Sequence, residues 1–195
     1  VRIKDLLTMS SGTNYNEADK GYFSLNAYGY YGDDEEYMVS MMEKKEEPGV
    51  YWQYRSGDTQ VLGLIVEKLF NKSISDLVSE KFMKSMGAEA DALWLLDGSK
   101  KHEKAFCCFN GVAHDYARFG QLVLNNGNWN GTQVINSGFL NQATTTSQNI
   151  TAKTYGDQAF VLTANSTEAQ AQVAFTLSPQ TTNDACSVFS SGLVL

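Results

Sequence analysis

The stretch from residue 50 to residue 70, VYWQYRSGDTQVLGLIVEKLF, constrains the fold of this chain most strongly. Its apolar residues recur at three- and four-residue steps, which places them on one face of a helix that Tyr54-Arg55-Ser56-Gly57 opens. That face comprises Val61, Leu62, Ile65, Val66 and Leu69. Tyr54 precedes the helix directly. A tyrosine in that position can point its hydroxyl into a cleft, or pack in the core with the hydroxyl hydrogen-bonded.

The remaining pattern places helices first and strands afterwards, which is typical of the α+β class. Residues 13–32 are polar and rich in tyrosine, and they are predicted to form a long loop. Apolar periodicity with start and stop signals predicts the other helices at residues 1–9, 33–42, 73–86, 113–126 and 137–145.

Three details of this assignment are specific. In the first helix, Ile3, Leu6 and Leu7 are expected to face inward. The acidic run 33–36 is expected to be the solvated first turn of its helix. Residues 105–109 are expected to form a short buried strand.

The composition changes at residue 147. Charged residues become sparse there, Thr, Gln and Ser dominate, and strand-like runs occur at 160–162, 173–177 and 188–195. We therefore divide the chain into a helical region, 1–146, and a strand-rich segment, 147–195, of the same domain.

Charge and hydropathy exclude some classes of partner. The chain has 195 residues, of which 43% are hydrophobic, and these suffice for one domain with a sizeable core. A formal net charge of -7 argues against nucleic acid as a partner. No uncharged apolar run is long enough to predict a membrane span.

The cysteines indicate neither a disulfide framework nor a metal site. There are three, of which Cys107 and Cys108 are adjacent, so free thiols in a reducing compartment are expected. His102 and His114 flank this pair, but the spacing matches no zinc motif, and adjacent residues of a strand point to opposite faces. The sequence predicts no metal and no cofactor. A reactive thiolate is also not expected in so apolar a run.

Nucleophile and phosphate-binding motifs are missing from these residues. No serine is followed three residues later by lysine, and G-x-S-x-G does not occur. Neither G-x-x-x-x-G-K-[ST] nor G-x-G-x-x-G is present.

Longer segments resemble a known family. Residues 1–12, VRIKDLLTMSSG, resemble the V-T-I-R-D-L-L-T-M-S-S-G segment of the serine β-lactamase-like hydrolases. This family includes class C β-lactamases, DD-peptidases, esterases and 6-aminohexanoate-dimer (nylon oligomer) hydrolases. Residues 54–63, YRSGDTQVLG, are similar to Y-x-S-G-D-T-Q-V-L-G of the last branch. Residues 106–120 resemble its F-C-G-x-N-x-x-x-R-D-x-A-R-F-G, and Tyr155-Gly156 its later Y-G-Y-x-W-W.

The resemblance implies a β-lactamase/transpeptidase-like fold that is incomplete here, with the helical portion and part of the antiparallel sheet. It also implies a bacterial hydrolase related to penicillin-binding proteins, in which the serine of S-x-x-K attacks an amide or ester of a small molecule. Tyr54 matches the family's catalytic tyrosine, which transfers a proton between serine and leaving group. Tyrosines of residues 13–32 would border the substrate cleft, without one being singled out, so the substrate-binding residues stay unknown.

The chain also departs from the family pattern. The family's S-x-x-K precedes the segment that matches residues 1–12, so we expect a fragment that is inactive by itself. The later K-T-G is not found, Cys108 replaces a glycine and His114 an arginine, and residues after 162 do not align.

These departures leave a second hypothesis, which is a non-catalytic homologue or fragment that binds a ligand or partner through the retained cleft. Either a cytoplasmic or a periplasmic location is compatible with the sequence. An uncovered sheet edge would favour self-association.

Overall fold

The computed structural model describes residues 1–145 and 150–152, and one compact unit spans Val1–Thr151. The α-helices are α1 (Ile3–Leu7), α2 (Leu25–Tyr31), α3 (Glu35–Ser40), α4 (Ser56–Phe70), α5 (Ile74–Val78), α6 (Lys84–Met86), α7 (Ala113–Leu124) and α8 (Ser137–Thr144). The strands are β1 (Tyr51–Trp52), β2 (Leu93–Trp94), β3 (Phe109–Asn110), β4 (Asn128–Trp129), β5 (Thr132–Gln133) and β6 (Thr151–Ala152). The predicted strands at 160–162, 173–177 and 188–195 lie outside the described residues, and the division at 146/147 stays a prediction.

Helix α1 packs against α4, but it buries less of its apolar face than its sequence predicts. Leu6 is 6% exposed, whereas Ile3 and Leu7 are 54% and 52% exposed. The helix has only five residues, and one such helix can press little more than one side chain against a single neighbour. The expectation of three inward residues is therefore wrong for two of them.

Helix α2 lies inside the stretch predicted as a loop, so that prediction is wrong in part. Ser24 caps the helix, since its side chain accepts a hydrogen bond from the backbone N–H of Ala27. A serine cap of this kind satisfies one of the free N–H groups of the first turn. The helix contains the run Tyr28-Gly29-Tyr30-Tyr31, which has no clear apolar period and so gave no helical signal.

Helix α3 begins at the predicted acidic run, but one of those acids is buried. Asp34 is the N-cap and accepts from the N–H of Tyr37 at 2.8 Å. Glu35 is 1% exposed and lies 3.1 Å from Nζ of Lys104. The prediction of a solvated first turn is wrong at Glu35, because a lysine distant in sequence supplies its counter-charge.

Helix α4 has the start and the length that the sequence predicts, but it buries a different face. The buried residues are Ser56, Gly57, Asp58, Gln60 and Gly63. The apolar residues of the predicted face are only partly covered, and Leu69 is 73% exposed. The two glycines permit backbone contact at this face, since a Cβ on Gly63 would lie 2.6 Å from Cβ of Ala105.

The segment 105–109 is a turn followed by a strand of two residues, so the prediction of a continuous strand is wrong. The N–H of Cys107 donates to the carbonyl of Lys104 at 3.0 Å, which closes the turn. Only β3 is extended, and it pairs antiparallel with β2. In this turn the side chains of Cys107 and Cys108 meet and form a disulfide. The expectation of free thiols at these two positions is therefore wrong.

The second half of the described chain follows the predictions more closely. Ser73, the first residue of the helix predicted at 73–86, caps α5, and a π-helical turn at Ser79–Met83 joins α5 to α6. Gly87 ends α6 with φ +65°. Helix α7 leads into the β4–β5 hairpin, and α8 follows. None of the helices within the described part of the chain is long and apolar enough to cross a membrane.

Candidate active site at the entrance of helix α4

The chain enters α4 through one exposed and two buried residues. Tyr54 is 44% exposed, whereas Arg55 and Ser56 are 1% exposed. Arg55 occupies the N-cap position in an extended conformation, but its side chain makes no capping hydrogen bond. The carboxylate of Glu17 instead accepts from the N–H of Ser56 at 2.5 Å. A carboxylate is favourable at this place because helix N-termini carry a partial positive charge.

Two tyrosines of the 13–32 stretch lie against this entrance. Burial raises the pKa of Tyr15 strongly, with Glu17 and Tyr30 as further causes, and contact with the Ser56 hydroxyl opposes the change. Burial also raises the pKa of Tyr30; Glu17 and Tyr54 add to this increase, and Ser56 again opposes it. We call Tyr15, Tyr30, Tyr54, Ser56 and Glu17 the tyrosine cluster. The structure thus brings Tyr54 near Tyr30, and Tyr30 near Tyr15, two tyrosines that the sequence could not single out.

The members of the tyrosine cluster differ in access to solvent. Tyr15 is 1% exposed, and its hydroxyl donates to Oδ1 of Asn26 at 3.1 Å. Tyr30 is 42% exposed, similar to Tyr54. The Ser56 hydroxyl is buried and has no hydrogen-bond partner of good geometry among the described residues. A surface with two accessible phenols beside a buried hydroxyl can donate and accept hydrogen bonds and can pass a proton between these groups.

Lys104 holds the helix that carries Tyr30. Its ammonium group donates to the carbonyls of Gly29, Tyr30 and Gly32, at 2.6, 3.2 and 3.2 Å, at the C-terminal end of α2. Cations are favoured at that end of a helix. The same ammonium faces Glu35. Burial raises the pKa of that carboxyl group, and Lys104 opposes the increase. Two residues later, the Phe106 ring packs edge-on against Tyr30 at 5.2 Å.

Two of the segments that resemble the family hold α4 in place. In the first, the Ser11 hydroxyl donates to Oδ1 of Asp58 at 2.6 Å, and the carbonyl of Met9 accepts from the N–H of Gln53. In the second, the Gln60 amide donates to the carbonyl of Glu103 and accepts from the N–H of Ala105. The motifs therefore fix the helix entrance and the segment beneath it.

The third segment fixes α7 rather than the cluster. Asp115 is 5% exposed, and it accepts from the N–H of Glu89 and from Arg118 at 3.0 and 2.7 Å. Burial raises the pKa of Asp115, but these hydrogen bonds outweigh burial and the net pKa is lowered. His114 is exposed and pairs with Glu89.

The remaining His and Cys candidates do not come together. Nδ1 of His102 contacts the carboxylate of Glu67 at 2.5 Å, and the two cysteines are bonded to each other. Within residues 1–145 and 150–152, no group of three His, Cys, Asp or Glu side chains is arranged to hold a metal ion.

A concave surface lies at the other end of α4. This cavity, of about 750 Å³, is lined by residues that include Ile65, Glu67, Lys68, Lys101 and His102. Burial raises the pKa of Glu67 to about 7, and a hydrogen bond with Glu103 adds to the increase. Tyr54 is not among the lining residues, so this cavity is separate from the tyrosine cluster.

Comparison with known proteins places the chain in a family. The family model described as Beta-lactamase matches residues 1–176, and the chain therefore belongs to that family. The fold is accordingly α+β and β-lactamase-like, as the sequence predicts. A search of curated proteins finds no significant match.

Two solved structures are similar to the chain. One is from Bacillus anthracis and is provisionally assigned as a 6-aminohexanoate-dimer hydrolase. It has 27% identity and a TM-score of 0.64 over 71% of this chain and 39% of that one. The other, from Bacteroides dorei DSM 17855, is provisionally assigned as a β-lactamase. At 18% identity and a TM-score of 0.55, over 76% of this chain and 44% of that one, it supports the fold alone. The chain therefore spans less than half the length of either protein.

Proposed function

We propose that this chain contributes part of the active site of a serine hydrolase that cleaves amide or ester bonds of small molecules through an acyl-serine intermediate. Membership of the β-lactamase family supports hydrolysis by an activated serine as the general class of function. The observation that carries the assignment to this site is the half-exposed Tyr54 at the entrance of α4, beside Tyr30 and the buried Ser56.

In this proposal Tyr54 is the catalytic group that the chain supplies. Its hydroxyl gives its own proton to the leaving nitrogen or oxygen and takes another from the attacking serine, so that it relays the proton between them. Ser56 and Tyr30 orient the Tyr54 side of the cleft, and Glu17 fixes the start of the helix by binding the N–H of Ser56.

The nucleophile is proposed to come from polypeptide outside these residues, because no S-x-x-K occurs among the 195. The 195-residue chain should then be inactive. Mixing it with nitrocefin or a p-nitrophenyl ester should give no burst of product. A stoichiometric burst from this chain would contradict the proposal, since it would require a nucleophile within these residues. Sequencing the coding DNA upstream of Val1 is the complementary check, because the proposal needs an in-frame S-x-x-K there.

A decisive test uses the natural gene product that contains these residues together with S-x-x-K. Tyr54→Phe removes only the hydroxyl, so turnover should fall on the order of a hundredfold or more while the thermal unfolding temperature stays the same. Tyr37→Phe is the matched control, because Tyr37 is 53% exposed, similar to Tyr54, and lies outside both the tyrosine cluster and the 13–32 stretch. Equal turnover of the two variants would remove Tyr54 from the mechanism.

The missing S-x-x-K also favours a second candidate, a non-catalytic homologue that binds a ligand through the same cleft. The two functions differ in one measurement. A hydrolase forms a covalent adduct with an acylating substrate, detectable as added mass on a serine, whereas a binding protein of this kind retains the substrate intact.

A further inference from the structure

The Cys107–Cys108 disulfide has no role in the proposed hydrolysis, yet it directly follows the segment that supports the tyrosine cluster. The two cysteines are adjacent in sequence and their sulfur atoms are bonded. Both residues are half-buried rather than enclosed. A small reductant can therefore reach the bond, which is the first requirement for a disulfide that changes state in the folded protein.

The backbone at this pair has an unusual conformation. Cys108 has φ +70°, a left-handed conformation that glycine adopts easily and side chains rarely do. A bond between neighbouring side chains requires both to lie on the same side of the chain, and the turn at Lys104–Cys107 makes this possible. Once the bond is broken, the two side chains no longer hold each other, and the strain at Cys108 is opposed only by the hydrogen bonds that its carbonyl accepts from Leu95 and Asn110 among the described residues.

A backbone change at the pair has a direct route to the tyrosine cluster. The indole N–H of Trp94 donates to the carbonyls of Lys104 and Cys107, at 3.1 and 2.8 Å, so the turn is held as one unit. Phe106 within this turn packs against Tyr30. Lys104 at its start binds the last carbonyls of α2. Movement of the turn therefore alters two contacts that position Tyr30.

We propose that Cys107 and Cys108 form a redox modification site whose reduction loosens α2 and displaces Tyr30. The reductant is a small dithiol. One of its thiolates attacks a protein sulfur and forms a mixed disulfide, and its second thiolate then displaces that sulfur. The protein gains two electrons and two protons and becomes a dithiol, while the reductant leaves as its own disulfide. Hydrolytic activity is not required, so the inference is independent of the proposed function.

Peptide mapping of the 195-residue chain tests the modification itself. Trypsin releases residues 105–118, which contain both cysteines. After purification in air and treatment with N-ethylmaleimide, this peptide should carry no adduct. After dithiothreitol under native conditions it should carry two. Two adducts before any reductant, or none after it, would overturn the inference.

Amide hydrogen exchange of the same samples tests the coupling to α2. Reduction should speed exchange in Leu25–Tyr31 roughly fivefold, because relief of backbone strain at Cys108 weakens the contacts that hold this helix. Exchange in Ser137–Thr144 should not change, because no hydrogen bond or ion pair among the described residues joins this helix to the turn at the cysteine pair. Unchanged exchange in α2 on reduction would also overturn the inference.

Two variants separate this effect from a general action of the reductant. The double variant Cys107→Ser/Cys108→Gly cannot form the bond, and its glycine takes the left-handed conformation easily, so dithiothreitol should leave its exchange unchanged. Cys186→Ser removes the third cysteine and should respond like the original chain. If dithiothreitol sped exchange in α2 of the double variant as much as in the original chain, or had no effect on Cys186→Ser, the Cys107–Cys108 bond would not be the cause of the change. None of these readouts depends on hydrolysis.

Discussion

The two ends of helix α4 belong to one continuous stretch of sequence, yet they are stabilised in opposite ways. At the N-terminal end the buried residues are small or polar, and they include Gly57, Asp58 and Gln60. At the C-terminal end Leu69 and Phe70 are 73% and 54% exposed. Apolar periodicity finds a helix but does not identify which of its faces the remaining chain covers.

The N-terminal half of α4 buries its polar face because those polar side chains form hydrogen bonds with particular residues of other segments. Asp58 is fully buried; burial raises its pKa, and the hydrogen bond from Ser11 and the charge of Arg55 oppose the increase. Gln60 satisfies two backbone groups of the 103–105 segment. Polar groups can be buried at little cost when they are paired in this way. The cluster that contains Tyr54 therefore lies at the end of the helix that is buried and hydrogen-bonded to neighbouring segments.

The largest expected loss in the free energy of unfolding comes from removal of the Gln60 side chain, at the N-terminal end of α4. In Gln60→Ala, the carbonyl of Glu103 and the N–H of Ala105 lose their partner in a buried site. We expect the free energy of unfolding to fall by about 3 kcal/mol. Urea denaturation measures the change. Gln121→Ala is the matched control. The Gln121 side chain lies on the exposed face of α7 and donates to Asn125, so its removal should lower the free energy of unfolding only slightly. If both variants lost a similar free energy of unfolding, the buried hydrogen bonds of Gln60 would not be what stabilises the N-terminal end of α4.

A methyl group at Gly57 should give the next largest effect. A Cβ there would lie 2.6 Å from Cδ2 of Tyr15 and 2.9 Å from Sδ of Met42. Gly57→Ala should therefore cost about 2 kcal/mol through overpacking, even though alanine favours helices. Gly138→Ala in α8 is the control. Gly138 is exposed, and its substitution should be neutral or stabilise by about 0.5 kcal/mol. A stabilising Gly57→Ala would mean that Tyr15 does not pack against the helix entrance.

At the C-terminal end of α4 we expect the smallest change in the free energy of unfolding, and this change depends on pH. Burial raises the pKa of Glu67 to about 7, above its ordinary value of 4.5. A carboxyl group whose pKa is raised by folding stabilises the protein fully below its unfolded pKa, and this contribution is lost as the pH rises through the folded pKa. The original chain should therefore lose stability between about pH 4.5 and about pH 7.5, by about 1 kcal/mol.

Glu67→Gln should reduce that loss, because the amide resembles the protonated acid and does not ionise. Urea midpoints at about pH 5 and about pH 8, for both proteins, provide the measurement. The pKa of the neighbouring Glu103 changes in the opposite direction. Burial raises the pKa of Glu103, but hydrogen bonds with Glu67 and Ser75 outweigh burial, so that the net pKa is lowered. The contribution of Glu103 to stability is therefore lost only at more acidic pH. Parallel pH profiles for the two proteins would show that Glu67 is not responsible.

Local patterns determined much of the fold. The start of α4 after Tyr54, the cap of α5 at Ser73 and the end of α6 at Gly87 all occur where the sequence predicts them. These features depend on side chains and backbone within a few residues of each other. The tyrosine-rich helix α2 was missed because Ser24 was its only clear signal, and the adjacent run has no apolar period.

The candidate site was found only in part. Tyr54 came from the resemblance to a family, and its catalytic role stays a prediction. Tyr15, Glu17 and Tyr30 could not be chosen among the polar residues of 13–32, because their proximity to Ser56 depends on how α2 packs. The cysteine pair was misassigned for a related reason. A turn, not a strand, precedes β3, and only the turn brings both sulfur atoms to one side.

By itself the sequence determined the α+β class, the position of most described helices and the resemblance that the family comparison confirms. Those properties follow from short-range periodicity, from caps and from motifs read in order along the chain. Tertiary structure alone decided which face of α4 is buried, which tyrosines approach Tyr54 and which residue neutralises Glu35. Each of these depends on contacts between residues far apart in sequence, such as Lys104 with α2, and no local pattern encodes the partner of a buried charge.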